Sequence, residues 1–440
     1  MREDIVQSSS ITSQYLDRYR HIADDAARAA GTLPVTGAQR RFLLARRMDP
    51  AGRPDLVPLF FAFPRGSVDP DRLRAAAGHL AALHPALRAR PETLRGVPVQ
   101  LLGEPDARVD RVEPRPGESA ADALRRALGT WAAEGPPLRL FLATDTAGDR
   151  DVLAVVMDHA ACDEASIGKV MGDLTDAYRD GLGPGDVPGT RAADELAAYR
   201  EAVHLQLESE ARASGQRSVA YWARRLAALR PAAGPAPAPR GGEGRAGTGA
   251  VLHRLPGAPD GARTAFPVLL DACAAAARTL YGPDRVPALG YPWGGRPAAA
   301  QPVLGCFLNT VVHPATACGL DERTVSWWDD LDHADAPIDE VVHAARTAGV
   351  PWSGRLDGLL TSEDLHRRPP LRLGDATGHE THIDGRPVQA PFAVSVSHGT
   401  DLLVRMAWDR GVVPDPVAED AFAALLDTLR AHTLGHAPVG

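Results

Sequence analysis

The sequence predicts a mixed α/β protein in two lobes, on three observations. Short apolar, strand-like runs alternate with amphipathic helical stretches from end to end. The 440 residues exceed one ordinary core and suit two units of about 200 residues each. A Gly- and Pro-rich stretch at Gly181–Gly189 supplies a break between them. The division read from this is a polar, partly helical lead-in over residues 1–30, a first lobe over 31–188 and a second over 189–440. Residues 230–249, a Pro/Ala/Gly/Arg string with almost no large apolar side chain, form a flexible loop in the second lobe.

Each element follows from its pattern. Leu33–Arg47 turns at Pro34 and continues as a helix with Phe42, Leu43 and Leu44 inward. Leu56–Phe63 is a short apolar and aromatic strand, and Asp69–Arg88 a helix with Leu73, Ala76, Leu80, Leu83 and Leu87 on one side. Val97–Leu102 is a strand, followed by a Pro-rich stretch to Gly117, a helix from Ser119 to Ala133 and a strand at Leu138–Thr144. Arg150–Asp158 carries Val152, Leu153, Val155 and Val156, a strand buried on both faces. After His159–Cys162, the residues Ile167, Val170, Met171, Leu174 and Tyr178 recur at helical spacing, with Asp163 as cap and Gly181 as stop. Ala192–Leu229 reads as one long helical stretch, Leu402–Trp408 as a strand and Pro416–His432 as a closing helix.

Composition narrows the function classes. No apolar run reaches 18 residues, and the first 30 lack the apolar region of a signal peptide, so the expectation is a cytoplasmic protein with no membrane partner. A net charge of −8 argues against nucleic acid. The four cysteines, Cys162, Cys273, Cys306 and Cys318, share no metal-ligand spacing and are expected as free thiols. Lys169 is the only lysine, which leaves one candidate amine for Schiff-base chemistry.

The sharpest local feature is Asp158-His159-Ala160-Ala161-Cys162-Asp163-Glu164. HxxxD is a chance-level pattern in a chain with 15 histidines, and His21…Asp25 matches it in the lead-in. Context separates the two: His159 follows a buried strand and Asp163 begins a helix. A histidine so placed projects into a cleft from a rigid support, where it can orient or deprotonate a nucleophile. Backbone N–H groups at the helix start can meet an oxyanion. The plain alternative is a loop histidine beside a capping aspartate. Other clusters rank lower. His379-Glu380-Thr381-His382 lies in a loop without a third ligand, so no metal is expected. His432 and His436 read as a solvated tail, Gly241–Gly244 as linker, and Ser395 and Ser397 as strand residues that pack or line a tunnel.

Further motifs stand in order along the chain. Pro34-Val35-Thr36-Gly37-Ala38-Gln39-Arg40 resembles the opening motif of the condensation domains of nonribosomal peptide synthetases. Leu83-His84-Pro85-Ala86-Leu87-Arg88, Val97-Pro98-Val99-Gln100 and Gly135-Pro136-Pro137-Leu138-Arg139 are similar to their RHPALR, PVQ and GPPLR segments. Tyr221-Trp222, Gly290–Arg296, Leu304–Thr310 and His333–Val342 continue the resemblance through the second half. It covers about residues 33–432. Its collinearity, not any single motif, carries it.

The resemblance implies two chloramphenicol-acetyltransferase-like lobes in a V-shaped pseudo-dimer with a central tunnel, entered by carrier-protein arms from opposite faces. His159 falls on the second histidine of the family's HHxxxDG motif, as the catalytic residue. Asp163 falls on its aspartate, a structural residue expected to pair with Arg296. Asp158 replaces the first histidine and Glu164 the glycine nearest the donor's path; with Asn309, Ser395 and Ser397 they are the substrate or tunnel candidates. Glu164 either caps the helix dipole or faces the tunnel to hold an amine acceptor.

The function implied is a free-standing condensation enzyme. It joins a carrier-bound acyl or aminoacyl thioester to a small amine or alcohol, in natural-product biosynthesis, with no cofactor beyond the phosphopantetheine of acyl or peptidyl carrier proteins acting in trans. Two alternatives keep the fold: a non-catalytic recruitment module, and altered chemistry such as epimerisation or cyclisation.

Overall fold

The computed structural model describes residues 10–23, 31–48, 55–131, 135–229, 247–257, 263–294 and 296–434. Most of the loop expected at 230–249, together with Asp25, Gly241–Gly244 and His436, lies outside them. The first half runs α1 (Ile11–Ala23), β1 (Thr32–Pro34), α2 (Gly37–Met48), β2 (Leu56–Pro64), α3 (Pro70–Leu83), β3 (Ala89–Leu94), β4 (Val97–Leu102) and β5 (Arg108–Arg111). Then come α4 (Ala120–Gly129), β6 (Leu138–Asp145), β7 (Arg150–Asp158), α5 (Glu164–Asp180), α6 (Gly189–Ala213) and α7 (Gln216–Leu226). The second half runs β8 (Thr248–Pro256), α8 (Phe266–Tyr281), β9 (Ala288–Gly294), β10 (Leu308–Pro314), α9 (Leu320–Leu331), α10 (Ile338–Thr347) and β11 (Gly358–Asp364). It ends with β12 (Arg372–Leu373), β13 (Ala376–Thr377), β14 (His379–Thr381), β15 (Phe392–His398), β16 (Asp401–Asp409) and α11 (Asp415–Leu434).

Two larger sheets organise these elements. The first has strand order β14-β2-β7-β6-β5 and the second β10-β9-β11-β15-β16-β8. In the first sheet β7 is central because both its faces are apolar. Leu153, Val155 and Met157 join one core with Leu73 and Leu80 of α3 and Val170 and Leu174 of α5. Val152, Ala154 and Val156 join another with Phe60, Leu124 and Trp131. In the second sheet β15 and β16 alternate strictly: Phe392, Val394, Val396, Val404 and Met406 are buried in one core with residues of α8 and α11. Their opposite face, with Ser395, Ser397 and Arg405 among smaller and apolar residues, is only half-buried.

The structure departs from the sequence reading where short or polar elements gave no period. Ala192–Leu229 is two helices, broken at Ser214-Gly215, where Ser214 Oγ donates to the Glu210 carbonyl at 2.7 Å. Asp69–Arg88 ends as a helix at Leu83 and finishes in a 3-10 turn at Pro85–Leu87. β5 lies within the expected Pro-rich loop, and His379–Thr381 is a strand antiparallel to β2, not a loop. Core packing also divides the chain differently from a cut at residue 188. Tyr199, Val203 and Leu207 of α6, Val303, Leu304 and Phe307 before β10, and Leu371 and Leu373 all belong to the first core.

α2 holds the lobes together. Gly37 starts it with no side chain because an added Cβ would stand 2.8 Å from Cβ of Pro337. Its N–H donates to Glu210 at 2.9 Å, and buried Arg40 pairs with Asp339 at 3.1 Å and Glu210 at 3.5 Å. A second buried network closes α3: His84 Nε2 is 2.8 Å from Asp173, its Nδ1 3.6 Å from Glu195, and Lys169 reaches Glu195 at 3.2 Å.

These carboxylates hold His84 above the ordinary imidazole value of 6.5 despite the opposing effect of burial. A group raised in the folded state stabilises fully below its unfolded pKa and loses that contribution as pH rises through the folded one. Unfolding free energy is therefore expected to fall as pH rises from about 6.5 upward. His84→Gln should cost about 1–3 kcal/mol at pH 6 and flatten that pH dependence, as read by urea unfolding at a series of pH values.

Candidate active site

The site forms where β7 ends. Because β7 is pinned by β2 and β6 along its length, its last residue Asp158 and the 3-10 turn His159–Ala161 are held rigidly. The His159 N–H donates to the Asp55 carbonyl at 3.0 Å. The ring of His159 stacks on Phe42 with centroids 4.7 Å apart, and its Nδ1 is enclosed without a hydrogen-bond partner. His159 itself is part-buried, so Nε2 is the nitrogen left for a substrate. Phe42 comes from α2, where Ala38, Phe42 and Arg46 recur every fourth residue and turn the same side toward this turn.

Asp158, 6% exposed, is committed to structure. It accepts two hydrogen bonds from Arg46 at 2.6 and 2.7 Å and caps the Ala160 N–H at 2.9 Å. It also borders a small cavity with Gln39, Leu43 and Ala160, while Arg41, Phe42 and Asn309 border another on the opposite side of α2. Asp55 lies close by: burial raises its pKa against the pull of His159, Arg41 and Arg46, and Gln389 donates to its carboxylate.

Asp163 and Arg296 meet. Asp163, 5% exposed, places Oδ1 2.9 Å from Arg296 Nη2 and accepts from the Ser166 N–H at 3.1 Å and Ser166 Oγ at 2.8 Å. Its Oδ2 accepts from the Phe307 N–H at 3.0 Å. The pair thus joins the start of α5 to the segment before β10. It also alters the oxyanion expectation, since the amides of His159, Ala160 and Ser166 are already engaged.

Glu164 stands in the first turn of α5, where an acid suits the helix dipole. Its side chain, 54% exposed, lies 3.0 Å from Arg368 Nη2, and the same guanidinium binds Glu380 at 2.8 Å and Glu363. Arg368 thereby ties α5, β11 and β14 together. The remaining candidates are also accounted for. Asn309 is not a free tunnel amide: its Nδ2 donates to the carbonyls of Ala334 at 2.7 Å and Ala336 at 2.6 Å. Ser397 donates to Glu363, and Ser395 stands on the half-buried face of β15. His432, within α11, is no solvated tail residue, for its Nε2 is 3.1 Å from Asp271 of α8. All four cysteines are free thiols, and no His, Cys, Asp and Glu group among the described residues has the makings of a metal site.

Arg46, Asp55 and Arg368 escaped the sequence reading, and Phe42 entered it only as an inward helix residue. The spacing of Phe42 and Arg46 marks one helix side, but nothing local names what that side meets.

The X-domain from teicoplanin biosynthesis superposes with a TM-score of 0.67 at 19% identity, over 90% of this chain and 94% of that one. The first condensation domain of the calcium-dependent antibiotic synthetase gives 0.67 at 17%, over 90% and 95%. This is the two-lobed, chloramphenicol-acetyltransferase-like fold. In sequence, the chain is 29% identical across 67% of its length to the probable non-canonical nonribosomal peptide synthetase CymA of Salinispora arenicola. It is 29% identical across 87% of its length to the isonitrile lipopeptide synthase of Mycobacterium tuberculosis. The matches span 4% and 16% of those two proteins. No family model matches the chain. Sequence relatives and fold together support a likeness to the condensation domains of nonribosomal peptide synthetases. Among the described residues no helix is long and apolar enough to cross a membrane.

Removing the Asp163 carboxylate strands Arg296 and two backbone amides. Asp163→Ala is expected to cost about 3–5 kcal/mol, the range for breaking a buried pair, read by chemical unfolding. The exposed pair control Arg20→Ala should change stability by less than about 1 kcal/mol.

Proposed function

We propose that the chain transfers an acyl or aminoacyl group from a carrier-bound thioester to an amine or hydroxyl acceptor, with His159 orienting and deprotonating the acceptor. One observation carries the reading: His159 sits at the end of a rigid strand, clamped by Phe42, with Nδ1 enclosed and Nε2 free for a proton. The acceptor lone pair attacks the thioester carbonyl, the new C–N or C–O bond forms and the C–S bond breaks. His159 takes the acceptor's proton and returns it to the departing thiolate. No covalent acyl-enzyme is needed. Carrier proteins acting in trans are the partners this reading requires.

Glu164 favours a second reading. The resemblance puts a glycine there, beside the donor's path, and Arg368 instead ties Glu164 to Glu380 of β14 across this position. A path narrowed so suits a recruitment module that binds a carrier and a partner enzyme without turnover. A domain of the same fold, the X-domain of teicoplanin biosynthesis, has been solved in complex with OxyB. Epimerisation or cyclisation by Glu164 is disfavoured, because its carboxylate is held by Arg368 and is not a free acid or base.

The test supplies acyl-carrier thioesters with a pool of amines and alcohols. On the acyl-transfer reading the wild type forms product and His159→Ala is slower by about 10²–10⁴-fold. Equal turnover by His159→Ala removes the catalytic role. Turnover that appears only in Glu164→Gly assigns the wild type to recruitment.

A further inference from the structure

The half-buried face of the second sheet carries an arrangement that acyl transfer does not use. On it stand Thr361, Ser395 and Arg405, with Ser395 opposite Arg405 in the β15–β16 ladder and beside Thr361 in the β11–β15 ladder. The segment that follows β14 passes against this face. Asp384 Oδ1 comes to 3.7 Å from Arg405 Nε, beyond hydrogen-bond length, and the Asp384 side chain is 66% exposed. Two residues further on, Arg386 sets its guanidinium 5.6 Å from the ring centroid of Phe60 and has no carboxylate within ion-pair distance among the described residues. The Nε groups of both Arg386 and Arg405 are enclosed and have no hydrogen-bond partner.

The surroundings do not supply the missing negative charge. His382 is driven down to about 4 by burial and by the charges of Arg405 and Arg386, so it is neutral at pH 7. Burial and Arg405 also depress Arg386. Glu363, the other acid near both arginines, already binds Arg368 and the Ser397 hydroxyl. Two part-buried guanidiniums therefore share one loosely held, mostly exposed carboxylate. Charges removed from water without a partner are costly, and a guanidinium fork is matched in shape by an oxyanion.

We propose that Arg386 and Arg405 form an oxyanion-binding subsite between the crossing segment and the half-buried face of the second sheet, taking a carboxylate or phosphate group of a small molecule. Ser395, directly across the ladder from Arg405, adds a hydroxyl donor. The subsite stands whether or not the chain catalyses acyl transfer, because its signature is binding.

Calorimetry and thermal unfolding of the full chain test it, with glutarate and inorganic phosphate as probes and uncharged glutaramide as control. At least one charged probe should bind and raise Tm, and which of them does so distinguishes a carboxylate from a phosphate ligand. Arg386→Gln and Arg405→Gln should each weaken that binding by about tenfold or more. Neither variant should be less stable than wild type without the probe, since each removes one of two part-buried cations that share a single exposed carboxylate. Arg405→Gln, on a different strand, keeps the test open if Arg386→Gln fails to fold. Arg254→Gln, an exposed arginine paired with Asp401, should bind as wild type does. The proposal is overturned if neither charged probe binds, if glutaramide binds equally, if binding survives in both variants, or if Arg254→Gln abolishes it as well.

Discussion

Burying a carboxylate strips it of hydration worth several kcal/mol, and the loss is offset only where its oxygens find partners in fixed directions. Asp163 meets that condition with a helix start, a backbone amide from the far half of the chain and a guanidinium. One side chain therefore sets where α5 begins and where the segment before β10 lies against it. His159 is four residues away on the same short turn. Its position between the lobes is a consequence of that anchor as much as of the strand it ends.

α2 works from the other side. Its Arg40 and Gly37 bind buried Glu210 and Asp339, and its next turn presents Phe42 and Arg46 to the 3-10 turn. The Arg46–Asp158 pair shows how a motif position can change chemistry without loosening the site. An acid where the resemblance puts a histidine is balanced by a cation one helical turn from the stacking ring, and the backbone path is kept by the Ala160 cap.

Much of this was legible because local physics wrote it locally. A strand buried on both faces must be a continuous apolar run, which is how Val152–Val156 announced β7. A helix needs a cap and a stop, and Asp163 and Gly181 supplied both, Gly181 at a φ of +66°. The Asp163–Arg296 juxtaposition came through the family resemblance, since spacing alone could not choose among so many arginines. The same abundance hid Arg46 and Arg368. Ion pairs between residues far apart in sequence leave no period, and a three-residue strand such as β14 leaves no alternation long enough to read. The oxyanion expectation is narrowed for a related reason: amides at a helix start are donors in any sequence, but only the fold shows that Asp163 has taken that of Ser166 and Asp158 that of Ala160.

β14 gives the molecule a particular order of assembly. His379, Glu380 and Thr381 pair with Ala62, Phe61 and Phe60, so the first sheet's outer edge is covered by residues made long after β2 itself. Until the ribosome has passed them, β2 presents an open edge with aromatic side chains, the kind of template on which nascent chains pair wrongly. The two halves are thus interlocked in time as well as in space. The first cannot be finished before the second has been translated, and a chain cut between them would keep that edge bare.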